Sequence, residues 1–132
     1  MKRAIAALIG LFGVVGGCVM LGAGRWFYAV TPGVSETGPY NPHFVRDIGG
    51  AYLAAGLGLV ALAWRPAAET RGAAAAGALF LALHAGVHLA EAVGAPSGLA
   101  DLARDLPAVG LPALLAVWVA WPFPMRAEAR HA

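Results

Sequence analysis

The sequence predicts an all-α polytopic membrane protein: four transmembrane helices in one bundle, with the N- and C-termini cytoplasmic. Three observations lead there. The 132 residues are 60% hydrophobic and 12% charged, with a mean hydropathy of +0.70, which is outside the balance of a soluble domain. Four apolar segments (4–24, 42–64, 72–93 and 107–123) are separated by polar connections. At about 1.5 Å per residue, roughly 20 helical residues cross a hydrocarbon core of about 30 Å. The nine Lys and Arg gather at segment ends. Lys2, Arg3, Arg65, Arg71, Arg126 and Arg130 fall on one side, and Arg25, Arg46 and Arg104 on the other, which sets the termini inside by the positive-inside rule. The chain has room for one domain, 1–132. No basic stripe with interleaved aromatics exists, so nucleic acid is not an expected partner.

The first span, 4–24, follows Lys2-Arg3 and is read as a retained helix, because its apolar run is long for a cleavable leader. Gly13 and Gly17 give it a small-xxx-small packing pair. Cys18 is the only cysteine, so no internal disulfide can form. The outer connection 25–40 holds the turn signals Thr31-Pro32-Gly33 and Thr37-Gly38-Pro39. Its Trp26-Phe27-Tyr28 is expected on the bilayer surface. Asn41 as N-cap and Pro42 at the first helical position start the second span. Pro66 breaks the tight inner link to the third. Asp101, Arg104 and Asp105, in the second outer connection, read as the solvated face of a short interfacial helix. The Leu99–Leu106 stretch could lengthen the fourth span, although Pro107 and Pro112 should bend or break it.

Ionisable residues within the spans are the candidates for function, because such groups are costly in hydrocarbon. The third span carries Leu83-His84-Ala85-Gly86-Val87-His88-Leu89-Ala90-Glu91. At roughly 100° per residue, His84, His88 and Glu91 fall within about 60° on one stripe. The second span carries His43, Arg46 and Asp47 in its first turns, in phase with Gly50, Ala54 and Gly58. The polar group is therefore expected to continue a packing face into the bundle. Both clusters lie in the outer half of the bilayer on neighbouring helices. One shared site, open to the exterior, is the expectation.

Several chemistries fit those residues. Imidazoles at i and i+4 can ligate one metal ion, so His84, His88, Glu91 and Asp47 form a candidate shell for Zn, Fe or Cu. His43 is a further cofactor ligand. Haem would need a second axial ligand from another helix. Alternatively Glu91 and His84 act as catalytic acid and base toward a quinone or sterol-like substrate. The structural alternatives are an ion pair of Arg46 with Asp47 or Glu91, an imidazole acting as interhelical glue, and Asp47 facing the helix dipole. Three functions follow: a plasma-membrane protein binding a metal or redox cofactor within a quinone-linked oxidoreductase system; a non-catalytic accessory or assembly subunit, partnered by other membrane subunits or its own copies; or a lipid-substrate enzyme of isomerase type.

The run Tyr40-Asn41-Pro42-His43-Phe44-Val45-Arg46-Asp47-Ile48-Gly49-Gly50-Ala51-Tyr52-Leu53, followed by the His84/His88 helix, resembles small actinobacterial membrane proteins of the DoxX-like superfamily. The resemblance runs from Trp26 to about Trp121. It implies a bacterial four-helix membrane bundle and, for some relatives, quinone-linked sulfur or thiol redox chemistry. With Cys18 alone, this chain has no dithiol of its own.

Overall fold

The computed structural model describes residues 1–121, all of whose regular elements are helical. They are α1 (Lys2–Val30), a 3₁₀ turn Val34–Thr37, α2 (Pro42–Trp64), α3 (Ala68–Gly94), α4 (Gly98–Asp105), a π turn Leu106–Gly110 and α5 (Leu111–Ala120). Among the described residues, four helical runs are long and apolar enough to span a membrane, the last being Gly98–Ala120. The end of the expected fourth span, Phe123, and the cations Arg126 and Arg130 lie outside the described residues.

Side-chain and backbone bonds set the up-down-up-down order. Lys2 Nζ donates to the Trp118 carbonyl at 2.9 Å, and Arg3 Nε donates to the Ala63 carbonyl at 2.9 Å. The start of α1 therefore meets the ends of α2 and α5. At the opposite end Arg104 of α4 reaches Glu36 in the outer connection. No polar or charged described residue is buried. Large apolar side chains point outward instead, among them Val15 at 61%, Leu83 at 63% and Leu114 at 67% exposure. Such a surface suits hydrocarbon and not water.

α1 is longer than the expected segment. At about 1.5 Å per residue its 29 residues exceed a core of about 30 Å. Ala23 (φ −132°, ψ 38°) breaks the helical geometry between Gly22 and Gly24, and the last turns continue beyond the kink. They are stitched to the outer connection. Tyr28 Oη donates to the Gly38 carbonyl at 2.7 Å, its ring lies 5.4 Å from that of Tyr40, and Arg25 covers Tyr40 at 4.9 Å. Asn41 caps α2 as expected: its Oδ1 accepts from the His43 and Phe44 N–H groups at 3.0 and 3.2 Å, with Pro42 at the first helical position.

The α1–α2 seam is the most extensive in the bundle, and it is backbone against backbone. A Cβ on Gly17 would sit 2.6 Å from the Leu53 nitrogen, and one on Gly56 would sit 2.6 Å from the Gly10 carbonyl oxygen. The expected stripe of Gly50, Ala54 and Gly58 is corrected here. Only Gly58 packs closely, against Ala73 of α3; Gly50 faces open space and Ala54 is exposed. Val45, Gly49, Tyr52 and Gly56 are buried within roughly 60° of one another at 100° per residue, and Ala55, Gly58, Leu59 and Leu62 widen the buried face of α2 beyond them.

The fourth span starts nine residues before its expected position, at Gly98 instead of residue 107. Pro107 and Pro112 do not stop the helix; they change its hydrogen bonding. The Leu111 N–H bonds to the Leu106 carbonyl, a five-residue step. Proline lacks the N–H for the ordinary four-residue step and crowds the carbonyl one turn earlier, and a π turn widens the helix to accept both effects. α4 is thereby carried in line with α5, and its acidic and basic residues join the bundle.

Candidate functional site

Five ionisable side chains meet where α3, α4 and the outer connection converge. His88 Nδ1 lies 2.7 Å from Asp105 Oδ2. An ionised carboxylate only accepts hydrogen bonds, so the shared proton belongs to Nδ1, and in the neutral ring Nε2 carries the lone pair. Arg104 grips the same carboxylate twice, Nε to Oδ1 at 2.7 Å and Nη2 to Oδ2 at 3.2 Å. Its Nη1 lies 3.0 Å from both Glu36 Oε2 and Asp101 Oδ1. Three carboxylates around one guanidinium leave the cluster with excess negative charge, and the paired fork geometry fixes the Asp105 plane. His88 and Asp105 side chains are 29% and 14% exposed: packed, yet reachable.

His84 extends the site toward the interior as an aromatic stack. Its ring is 4.8 Å from that of His88 and lies parallel to Phe80 at 5.9 Å. Tyr52 of α2 meets it edge-on at 5.5 Å. Among the described residues no hydrogen bond is made by the His84 ring. Beside His88 a cleft of about 320 Å³ opens, lined also by Glu36, Glu91, Asp101, Arg104 and Asp105.

Gly33 holds this corner together. Its φ of +83° favours glycine, and a Cβ there would lie 2.6 Å from the Arg104 Cζ. Gly33→Ala is therefore expected to strain the turn by about 1–2 kcal/mol. It should also push Arg104 off Asp105, lowering the melting temperature in detergent more than Gly16→Ala, a helical position where a Cβ meets nothing.

The expected meeting of two clusters is half realised. His84 and His88 share the site, and Glu91 lines its cleft as an exposed side chain without a hydrogen bond among the described residues. His43, Arg46 and Asp47 do not join them. His43 Nε2 pairs with Asp47 Oδ2 at 3.3 Å, with side chains 87% and 64% exposed. Counted from buried Val45, His43 and Asp47 lie roughly 160° and 200° around the helix, on its outward face. Arg46 is likewise exposed and bridges to neither Asp47 nor Glu91, so the expected ion pair is replaced by His43–Asp47. The four-residue metal shell of His84, His88, Glu91 and Asp47 is accordingly not assembled. Among the described residues no three His, Cys, Asp or Glu side chains converge to hold a metal ion. What the two histidines find in its place is Asp105, with Arg104 behind it, both read from the sequence as a solvated face. Their spacing from Asp101 was the available signal; the prolines concealed that it belongs to a span.

The chain matches no protein-family model, and no curated protein or solved structure is similar to it.

Proposed function

We propose that the protein is a multi-pass protein of a bacterial plasma membrane, with cytoplasmic termini, that binds the headgroup of a lipid-soluble quinone or quinol at His88. The observation carrying this reading is the 2.7 Å His88–Asp105 bond, backed by Arg104, beside a cleft and an aromatic stack. Asp105 orients the imidazole and keeps the proton on Nδ1, so that Nε2 can take a proton from a quinol hydroxyl, leaving the quinolate, and return it to the same quinolate oxygen. His84, Phe80 and Tyr52 pack on one another behind His88 and back its ring from the bundle side. Such a ligand also agrees with the redox setting that the DoxX-like resemblance implies.

A short-chain naphthoquinone titrated calorimetrically into the detergent-purified chain tests the reading. Saturable binding is expected, with about tenfold weaker affinity in His88→Ala, the order of one hydrogen bond from a charged or strongly polarised group. Equal affinity in both proteins, or no saturable binding, would reject it. Stoichiometric metal or haem lost in His84→Ala/His88→Ala would move the assignment to a metal cofactor held by the two imidazoles.

A second reading, an accessory subunit with structural polar groups, is favoured by one observation. Arg104 ties Glu36 of the outer connection to α4, which is what a purely architectural cation would do. Under that reading His88→Ala leaves partner association intact.

A further inference from the structure

At the opposite end of the bundle a second cleft, of about 170 Å³, takes no part in the site above. Among the described residues its lining carries Lys2, Arg3 and Arg71 and no carboxylate, with Ala6, Leu62 and Val119 as its apolar wall. Two of the cations are fixed in place before any ligand arrives. Lys2 Nζ donates to the Trp118 carbonyl at 2.9 Å and stands 4.5 Å from the Trp118 ring centroid. Arg3 donates through Nε to Ala63 and through Nη2 to Trp64, each at 2.9 Å. Both sit at final carbonyls of a helix, where the dipole favours positive charge. Arg3 still has N–H groups beyond those two bonds. Arg71, half-buried in the first turn of α3, makes no hydrogen bond through its side chain among the described residues.

We propose that this cleft binds the phosphate of an anionic phospholipid. Three cations, with no acid among the described lining residues, favour an anion. The aromatic rings at the same end, Trp64, Trp118 and Trp121, are 84%, 40% and 69% exposed, and exposed indoles on a membrane helix favour the headgroup level. The cations therefore stand where lipid phosphates stand, between helices, with apolar walls for the adjoining glycerol and acyl carbons.

Native mass spectrometry of the full chain, with phosphatidylglycerol and phosphatidylcholine added in equal amounts, tests the assignment. The expected result is a several-fold excess of bound phosphatidylglycerol. Arg71→Gln should reduce that excess about fivefold, the order of one cation at a membrane surface. Arg71→Lys should keep most of it, and Arg65→Gln, whose residue does not line the cleft, should keep all of it. Arg71 caps no helix end through its side chain, so its variants should fold, and retention of the melting temperature checks this. Equal binding of the two lipids, or an equal loss in Arg65→Gln, would overturn the proposal. Inorganic phosphate competing as well as phosphatidylglycerol would overturn it in favour of a free anion.

Discussion

Asp105→Asn should weaken naphthoquinone binding about as much as His88→Ala, by tenfold or somewhat more, although Asp105 need not touch the ligand. The asparagine keeps the shape and one acceptor oxygen, but loses the charge that faces both Arg104 and His88. Two consequences compound. The amide can present its NH₂ to Nδ1, which turns the imidazole to the opposite tautomer and removes the lone pair from Nε2. Arg104, released from its forked grip, keeps Glu36 and Asp101 as partners, both 3.0 Å away, and so is drawn toward the outer connection. Asp105→Glu separates the two effects: it restores the charge on a longer stem, and it should recover part of the binding while leaving the pH dependence of proton uptake similar to that of the parent. Glu36→Gln is the control. Its side chain is 72% exposed, water screens its pairing, and binding should change less than twofold by calorimetry. If Asp105→Asn binds as tightly as the parent, His88 does not depend on its carboxylate and the acid–base reading fails.

That Asp105 escaped the sequence reading, while His84 and His88 did not, has a physical cause. A pair of imidazoles in an apolar run announces itself through the cost of burying it, and the i, i+4 spacing places both on one stripe whatever surrounds them. A carboxylate at the end of a span has no such signature. It looks like any solvated acid until the path of the backbone is known, and that path turned on Pro107 and Pro112. Read as breakers, they end the span and leave residues 101–105 on a separate interfacial helix. Accommodated by the π turn at Leu106–Gly110, they leave the helix continuous and bring Asp105 to within 2.7 Å of His88.

The second helix shows the converse failure, a pattern that was present but ambiguous. Glycines stand at 49, 50, 56 and 58, so a small-residue stripe can be drawn through two phases of the same helix. The stripe in line with His43 and Asp47 looked complete because polar and small residues continued one another. Packing against α1 uses the other phase, where Val45 and Tyr52 are buried beside the glycines, because there a large apolar side chain and a bare backbone alternate and can interlock. Four spans, the Asn41 cap and the Gly13/Gly17 pair were legible because each rests on local chemistry. Which face of α2 is inward rests on its neighbours.

The alternation of glycines makes that choice measurable, and the largest stability effect follows from it. Gly17→Ala is expected to lower stability by about 1–3 kcal/mol, because its Cβ would meet the Leu53 nitrogen at 2.6 Å and the Gly49 carbonyl oxygen at 2.7 Å. Neither atom ends a flexible side chain, so the helices themselves must part. Gly56→Ala meets the Gly10 carbonyl oxygen and the Val14 nitrogen, both at 2.6 Å, and should cost a similar amount. Gly56→Leu should abolish the folded bundle. Close backbone approach is the source of helix association where lipid is as apolar as the side chains, so separating the seam removes contacts that solvent exclusion cannot replace. Gly50→Ala reverses the sign. Nothing lies within 4 Å of its Cβ, and alanine gains about 0.5–1 kcal/mol over glycine in a helix interior. Equilibrium unfolding in mixed detergent micelles, followed by circular dichroism, should therefore rank Gly50→Ala at or above the parent and Gly17→Ala well below it. The opposite ranking would mean that α2 presents its His43 face to α1, and the bundle drawn here would be rotated about that helix.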